Sequence, residues 1–406
     1  MGEQTVGKVP PIRFKGFEGK WDQQALGELF SITSAARVHK HEWRQSGVPF
    51  FRSSDVVCSF KGDENNKAFI SHELYEALSA KVGRVKSGDI LVTGGGSIGI
   101  PYLVRSDKPL YFKDADLLWF KIRQTVDGYY LYTFFTSQPF RRYLNSISHI
   151  GTIAHYTVQQ AKGTPVTLPR DSSEQTQIGD YFRALDGLIG LHQRKHGKLV
   201  TLKKAMLQKM FPQPGATVPE IRFKGFKENW GKVKLGTVAS LINGRAYSQG
   251  ELLKNGKYKV LRVGNFYTNS SWYFSDMELA DKFYAQTGDL LYTWSASFGP
   301  HVWNGEKIIF HYHIWKIELT DSINREFLLQ LLENDKDSIL SNSNGSTMIH
   351  ITKGGMELKE FVIPHVTEQQ KIGTYFRTLD TLISQHATQL QKLQQIKSAC
   401  LEKMFV

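Results

Sequence analysis

"EQTQIGDYFRALDGLIGLHQ" at residues 174–193 returns at residues 368–387 as "EQQKIGTYFRTLDTLISQHA". Both copies run on to a "KMF" ending, "LKKAMLQKMF" at 202–211 and "IKSACLEKMF" at 396–405, and about half of the positions are identical. Each copy reads as one long helix. Apolar residues recur in steps of four and three: Ile178, Phe182, Leu185, Ile189 and onward in the first, Ile372, Phe376, Leu379, Ile383 and onward in the second. That is the pattern of a coiled-coil seam. Each stripe takes an extra step of three at the same place, from Leu199 to Leu202 and from Leu393 to Ile396. The shared irregularity suggests that the stripes face each other, and matched helices of two packed repeats run antiparallel. Asp171 with Glu174 and Thr367 with Gln370 have capping-box spacing, and Pro169 and Pro364 close the preceding segments. A helix of about 38 residues spans roughly 55 Å at 1.5 Å per residue.

The helix is one edge of a larger repeat, whose recognition precedes any other fold assignment. "IRFKGF" occurs at 12–17 and 221–226, followed by Trp21 and Trp230. "LGEL" from Leu26 matches "LGTV" from Leu235, and "PFFRSSDVV" at 49–57 matches "KVLRVGNFY" at 259–267. "GDILVTGGGSIG" at 88–99 matches "GDLLYTWSASFG" at 288–299, and "GTIAHYT" at 151–157 matches "STMIHIT" at 346–352. The ends of the halves agree closely while the middles share only landmarks. One frame used twice around two different inserts explains this. The expected fold is α/β (α+β): two globular domains in a pseudo-two-fold tandem repeat, separated by two long antiparallel coiled-coil helices. The boundaries are 1–20, an N-terminal frame segment; 21–170, the first globular domain; 171–212, the first helix; 213–229, a linker and repeated frame segment; 230–365, the second globular domain; and 366–406, the second helix. The apolar residues of the hexapeptides, Ile12, Phe14 and Phe17 with Ile221, Phe223 and Phe226, are expected to seat each insert on the helices. Their Arg and Lys are expected at the surface.

A net charge of +13 and a pI near 9.4 favour a polyanionic partner, for which nucleic acid is the usual candidate. Cys58 and Cys400 lie far apart and fit no metal spacing, in keeping with a reducing cytoplasm. No apolar run is long enough to span a bilayer, and the N-terminus lacks the apolar middle of a secretory signal.

Catalytic motifs are missing. "TGGGSIG" at 93–99 lacks the Gly-Lys-Ser/Thr of a P-loop, and its partner "TWSASFG" has no glycine triplet. There is no HExxH, CxxC or nucleophile elbow, and no Asp/Asn-Pro-Pro-Tyr tetrapeptide. Asp89 and Asp289 read as turn-capping residues. Side chains suited to phosphates and base edges are abundant, arginine suiting guanine and Asn or Gln adenine. The first insert offers Arg37, His39, Lys40, His41, Arg44 and Gln45, then Arg52, Ser53 and Ser54, and Ser97 in the glycine turn. The second offers Asn243, Arg245, Tyr247 and Gln249, then Arg262 and Asn265, and Ser295 and Ser297 opposite that turn. His155 and His350 recur at matched positions.

The paired hexapeptides, the two Gly-Asp segments, the "GTIAHYT"/"STMIHIT" segments and the "EQ..IG.YF..LD.LI..H" helices ending in "KMF" together resemble the specificity subunit of type I restriction–modification systems across essentially the whole chain. The resemblance implies two target-recognition domains, each reading one half of a bipartite asymmetric DNA target, with the helices as spacer. It implies docking of two modification subunits that carry S-adenosylmethionine-dependent adenine methylation. It further implies restriction subunits that use ATP and Mg, and no cofactor or catalytic residue on this chain. Two other classes compete. A self-contained methyltransferase or nuclease needs a cofactor fold and catalytic tetrapeptide that are not found, and a structural scaffold binds DNA without regard to sequence.

Overall fold

The computed structural model describes residues 8–122, 126–147, 155–295, 297–342 and 351–406. Residues 151–154 and 346–350 of the matched Thr/His segments, His350 among them, lie outside the described residues. Two continuous helices, Ser172–Lys209 and Val366–Lys403, each of 38 residues, begin and end at equivalent points of the repeat. The chain divides into two compact units. One joins the described residues up to Gln193 to Thr388–Val406; the other is Arg194–Ala387. Each unit therefore contains the start of one long helix and the end of the other.

In the first unit an antiparallel sheet runs Ser31–Thr33, Leu117–Lys121, Ile90–Thr93, Pro101–Leu103. A smaller sheet runs Ala68–Ile70, Val48–Phe51, Tyr111–Phe112, its last pair parallel. The second unit repeats this with Ala239–Asn243, Ile314–Leu319, Leu290–Ser295, Ser297–Val302, and a sheet that places Tyr258–Leu261 parallel to Ile308–Phe310. Two-stranded ribbons, Asp22–Ala25 with Pro165–Leu168 and Gly231–Lys234 with Glu360–Ile363, bring the two ends of each insert together beside buried Trp21 and Trp230. Asp89 and Asp289 do cap turns: their carboxylates accept the backbone N–H of Lys86 and of Gln286. The inserts thus share a topology that their sequences barely suggest.

The identical frame residues lock each unit. Arg13 of the first hexapeptide makes a two-pronged pair with Glu174 in the first turn of the first long helix, at 2.6 and 2.7 Å. Arg222 does the same with Glu368, at 2.7 Å twice. The arginine side chains are 14% and 13% exposed and the glutamates 0% and 1%, so these arginines are not surface residues as expected. Glu174 therefore serves this pair rather than a capping box with Asp171. Asp171 caps the first helix through the N–H of Ser173, and at the second helix the Thr367 N–H meets His365 Nδ1. Phe14 and Phe223 pack edge-on against Tyr181 and Tyr375. Ile12 and Ile221 instead leave their side chains exposed and donate their backbone N–H to Lys403 and Lys209, the last residues of the long helices. The adjoining glutamines, Gln175 and Gln369, donate to the carbonyls of Pro169 and Pro364. Phe405 closes the first unit against Tyr130 and Phe182, and Phe211 the second against Trp230, Phe327 and Phe376.

Within each unit the helix segments run antiparallel, as the contacts of Tyr181 with Cys400 and of Asp186 with Lys397 show in the first and those of Lys203 with Asp380 and of Phe211 with Phe376 in the second. The extra step in the apolar stripe does not exist. Leu202 and Ile396 are 40% and 45% exposed, and Lys203 and Lys397 take the seam position, restoring steps of four and three. Their ammonium groups pair with Asp380 at 2.5 Å and Asp186 at 2.6 Å.

Gly179 and Gly373 mark where the insert meets the helix. A Cβ on Gly179 would stand 2.3 Å from Asp127 Oδ1, which caps the Gly128–Phe134 helix; one on Gly373 would stand 2.8 Å from Asn324 Oδ1. Gly187, on the same helix, meets nothing. Gly179→Ala should therefore lower stability by roughly 1–3 kcal/mol through overpacking. Gly187→Ala should raise it by up to about 1 kcal/mol through helix propensity. Urea denaturation of the two variants checks the opposite signs.

Candidate nucleic-acid interface

In both units the same end of the main sheet carries the polar loops. In the first, the segment after Ser31–Thr33 and the turn between Tyr111–Phe112 and Leu117–Lys121 border a cleft of about 410 Å³ lined by Arg37, His39, Lys40, Trp43, Lys113 and Asp114, among others. Arg37 is 73% exposed, with Asp114 3.5 Å away. His39 and Lys40 are exposed, His39 stacking on His41, and Arg44 holds its own loop through the carbonyls of His41 and Trp43. Gln45 is exposed too.

The other residues singled out in this unit are more constrained. Arg52 forks onto Asp55 at 2.8 and 3.1 Å and reaches the carbonyl of Asn66, so its guanidinium orders the N-terminus of the Ser53–Lys61 helix; the hydrogen bond to Asp55 raises its pKa. Ser53 donates to the Asp116 carbonyl and Ser54 accepts from Asn65. Ser97 is exposed at the tip of the glycine turn. That turn has a local purpose. The Gly94 N–H donates to the Asp116 carbonyl and its carbonyl accepts the Tyr156 N–H, and a Cβ there would stand 2.7 Å from the Tyr156 oxygen.

The second unit fills the equivalent edge with aromatic and imidazole groups. Arg245 pairs with Glu251 at 2.5 Å, lies over the Tyr247 ring and pairs in register with His311. Tyr247 stacks on His311, and its hydroxyl is buried, raising its pKa. Tyr312 and His313 pack against Trp294, whose indole N–H donates to the Tyr312 carbonyl, and His311 packs on both of them. Gly244 admits this loop: a Cβ there would stand 2.4 Å from the carbonyls of Phe310 and His311. Asn243, at the end of the Ala239–Asn243 strand, is exposed, as is Gln249; at the hairpin of Leu290–Ser295 with Ser297–Val302, Ser297 is exposed and Ser295 half-buried. Arg262 lies over Tyr273 at 4.2 Å. Asn265 is engaged by backbone: its oxygen accepts the Arg262 N–H and its amide donates to the carbonyls of Asn269 and Ser271. Arg52 and Arg262 both follow the strand of the smaller sheet, in agreement with their match in sequence.

The structure thus gathers Arg37, His39 and Lys40 in one unit and Arg245 with Tyr247 in the other, while Asn243 and Ser295 stand on separate strands of the main sheet. It sets Arg52 and Asn265 to structural work. Sequence reading missed Lys113, Asp114, Trp294 and the His311–Tyr312–His313 loop. For all of these except Trp294 the signal was the short polar interruption between two apolar strands, "YFKDADLLW" and "IIFHYHIW". Among the described residues no three His, Cys, Asp or Glu are placed to hold a metal, and no helix is long and apolar enough to cross a membrane.

The chain is a tandem repeat: one frame used twice, with unlike polar edges on like sheets. The model of the type I restriction modification DNA specificity domain matches residues 18–200 and again 227–395, and the chain belongs to that family. A putative type I restriction enzyme specificity subunit of Haemophilus influenzae is 26% identical over 168 residues, covering 40% of this chain and 40% of that protein. The type I restriction enzyme MjaVIII specificity subunit of Methanocaldococcus jannaschii is 23% identical over 292 residues, 66% of this chain and 67% of that one. In fold, the chain is similar to the S subunit of a type I restriction–modification system from M. genitalium, with a TM-score of 0.68 at 15% identity over 98% of this chain and 99% of the other. It is also similar to a chain from a structure of type I system assembly and conformational transition, with a TM-score of 0.51 at 18% identity over 94% and 96%.

Burial and the neighbouring His313 and Arg262 push His311 down to about 4, and burial with Lys336 pushes His301 down to about 4. The unfolded chain therefore binds protons below about 6.5 that these folded imidazoles refuse, and stability falls as pH drops from about 6.5 towards 4. Urea midpoints measured between pH 7 and 4.5 should fall less steeply in the double variant His301→Gln, His311→Gln.

Proposed function

We propose that this chain is the non-catalytic DNA sequence-specificity subunit of a type I restriction–modification complex, and that each unit reads one half of a bipartite, asymmetric target. One observation carries this reading: two sheets of the same topology present different side chains at the same edge, Arg37, Lys40, Lys113 and Asp114 in one unit and Arg245, Tyr247, Trp294 and the His311–His313 loop in the other. Two readers of different half-sites require such an arrangement. A scaffold that binds DNA by charge alone needs no such divergence.

The two 38-residue helices set the spacing between the half-sites and dock two modification subunits, and restriction subunits join where present. S-adenosylmethionine, ATP and Mg belong to those partners, which place N6-methyl groups on adenines of the target in the cytoplasm. Arg37, His39, Lys40, Arg44, Ser97, Asn243, Arg245, Tyr247, Arg262, Ser295 and Ser297 make up the proposed DNA-facing set; Arg52, Ser53, Ser54 and Asn265 support it from behind.

Single-molecule sequencing of adenine methylation in cells carrying this chain and its modification partner tests the proposal. A split motif is expected. Replacing residues 230–364 with an insert from another specificity subunit should change one half of the motif and leave the other. A motif indifferent to the exchange, or none, would favour the scaffold.

A further inference from the structure

The turn that joins Tyr111–Phe112 to Leu117–Lys121 has three unusual features. Ala115 has φ +60°, the one positive value outside glycine among the described residues. The Asp116 N–H donates across it to the Asp114 carbonyl at 2.7 Å, closing a three-residue turn of a strained kind. The strain is held from both sides. Ser34 Oγ accepts the Ala115 N–H, and Gly94 approaches closely enough to bond the Asp116 carbonyl. Strain of this kind persists only where surrounding structure fixes it, and it concentrates at functional sites.

What the turn holds in place is a carboxylate in a basic cleft. Of its two aspartates, Asp116 is bound by Lys113 at 2.7 Å. Asp114 meets Arg37 at 3.5 Å, too far for a good hydrogen bond, so both groups keep their capacity for a ligand. A carboxylate facing DNA is repelled by phosphates and costs affinity unless it reads something. As an acceptor without donors it matches the cytosine N4 amino group, and the adjacent guanidinium matches guanine O6 and N7.

We propose that Asp114 and Arg37 together read one G·C pair in the half-site bound by the first unit. The assignment rests on the reading of this chain as a DNA specificity subunit. The matched loop of the second unit, His311 to His313, contains no carboxylate, so its half-site is read by other chemistry.

The test is selection of the purified full chain against a pool of random DNA duplexes at fixed salt. Wild-type chain should enrich a split motif with an invariant G·C pair in one half. Arg37→Ala and Asp114→Ala should each flatten that same position by roughly tenfold and leave the remaining positions of both halves unchanged. Asp114→Asn, which keeps the shape of the side chain and adds a donor, should shift the position towards adenine. Variants that lose affinity evenly across the motif, or leave it unaltered, would overturn the assignment while sparing the wider function. A wild-type chain that enriches no motif would overturn both. Thermal melting of each variant separates lost reading from lost folding.

Discussion

The buried Arg13–Glu174 pair and its counterpart, Arg222–Glu368, constrain everything else. In each unit one short segment holds the first turn of one long helix through its arginine and the last residue of the other through the preceding backbone N–H. The helix ends so joined then receive the apolar closing residues, Phe405 in one unit and Phe211 in the other. A buried ion pair adds little net stability over a well-packed apolar replacement, but removing one partner strands a buried charge at a cost of about 3–5 kcal/mol. Here its consequence is register. A one-residue slip of either helix would misplace the pair, the seam lysines and the close-packed glycines together.

This explains which parts of the two halves agree. The "EQ..IG.YF" signature is a list of contacts: Glu to the hexapeptide arginine, Gln to the proline carbonyl, Ile into the core, Gly against the insert's helix cap, Tyr against the hexapeptide phenylalanine, Phe into the core. None of these residues reaches the polar edge of the sheets. The edge is therefore free to differ, and the two units seat their loops with different glycines, Gly94 in the first and Gly244 in the second. The glycine triplet that resembles a phosphate-binding loop is such a seat.

The long helices, their antiparallel pairing and the two inserts were legible because heptad spacing and internal repetition survive in one sequence. The details misread were those in which a polar group does an apolar group's work. Lys203 and Lys397 occupy seam positions that an apolar count skips, which produced an apparent irregularity at Leu202 and Ile396. Arg13 and Arg222 looked like surface charges because their partners lie more than a hundred residues away. The common topology of the inserts was hidden because sheet pairing is non-local and short buried strands share no periodic signature. Candidate DNA-facing residues were chosen by side-chain chemistry alone. That separates neither Arg37, open to a cleft, from Arg52, clamped by Asp55, nor a reading asparagine from Asn265, which closes its own turn.

The most direct test of the central constraint is a double-mutant cycle on Arg222 and Glu368, read by urea denaturation of the full chain with Arg222→Ala, Glu368→Gln and the pair combined. If the buried clamp fixes the register of the frame, each single change is costly and the second adds little to the first, giving a coupling of roughly 2–3 kcal/mol. Single effects that add to within about 0.5 kcal/mol would show two independent residues and contradict the account.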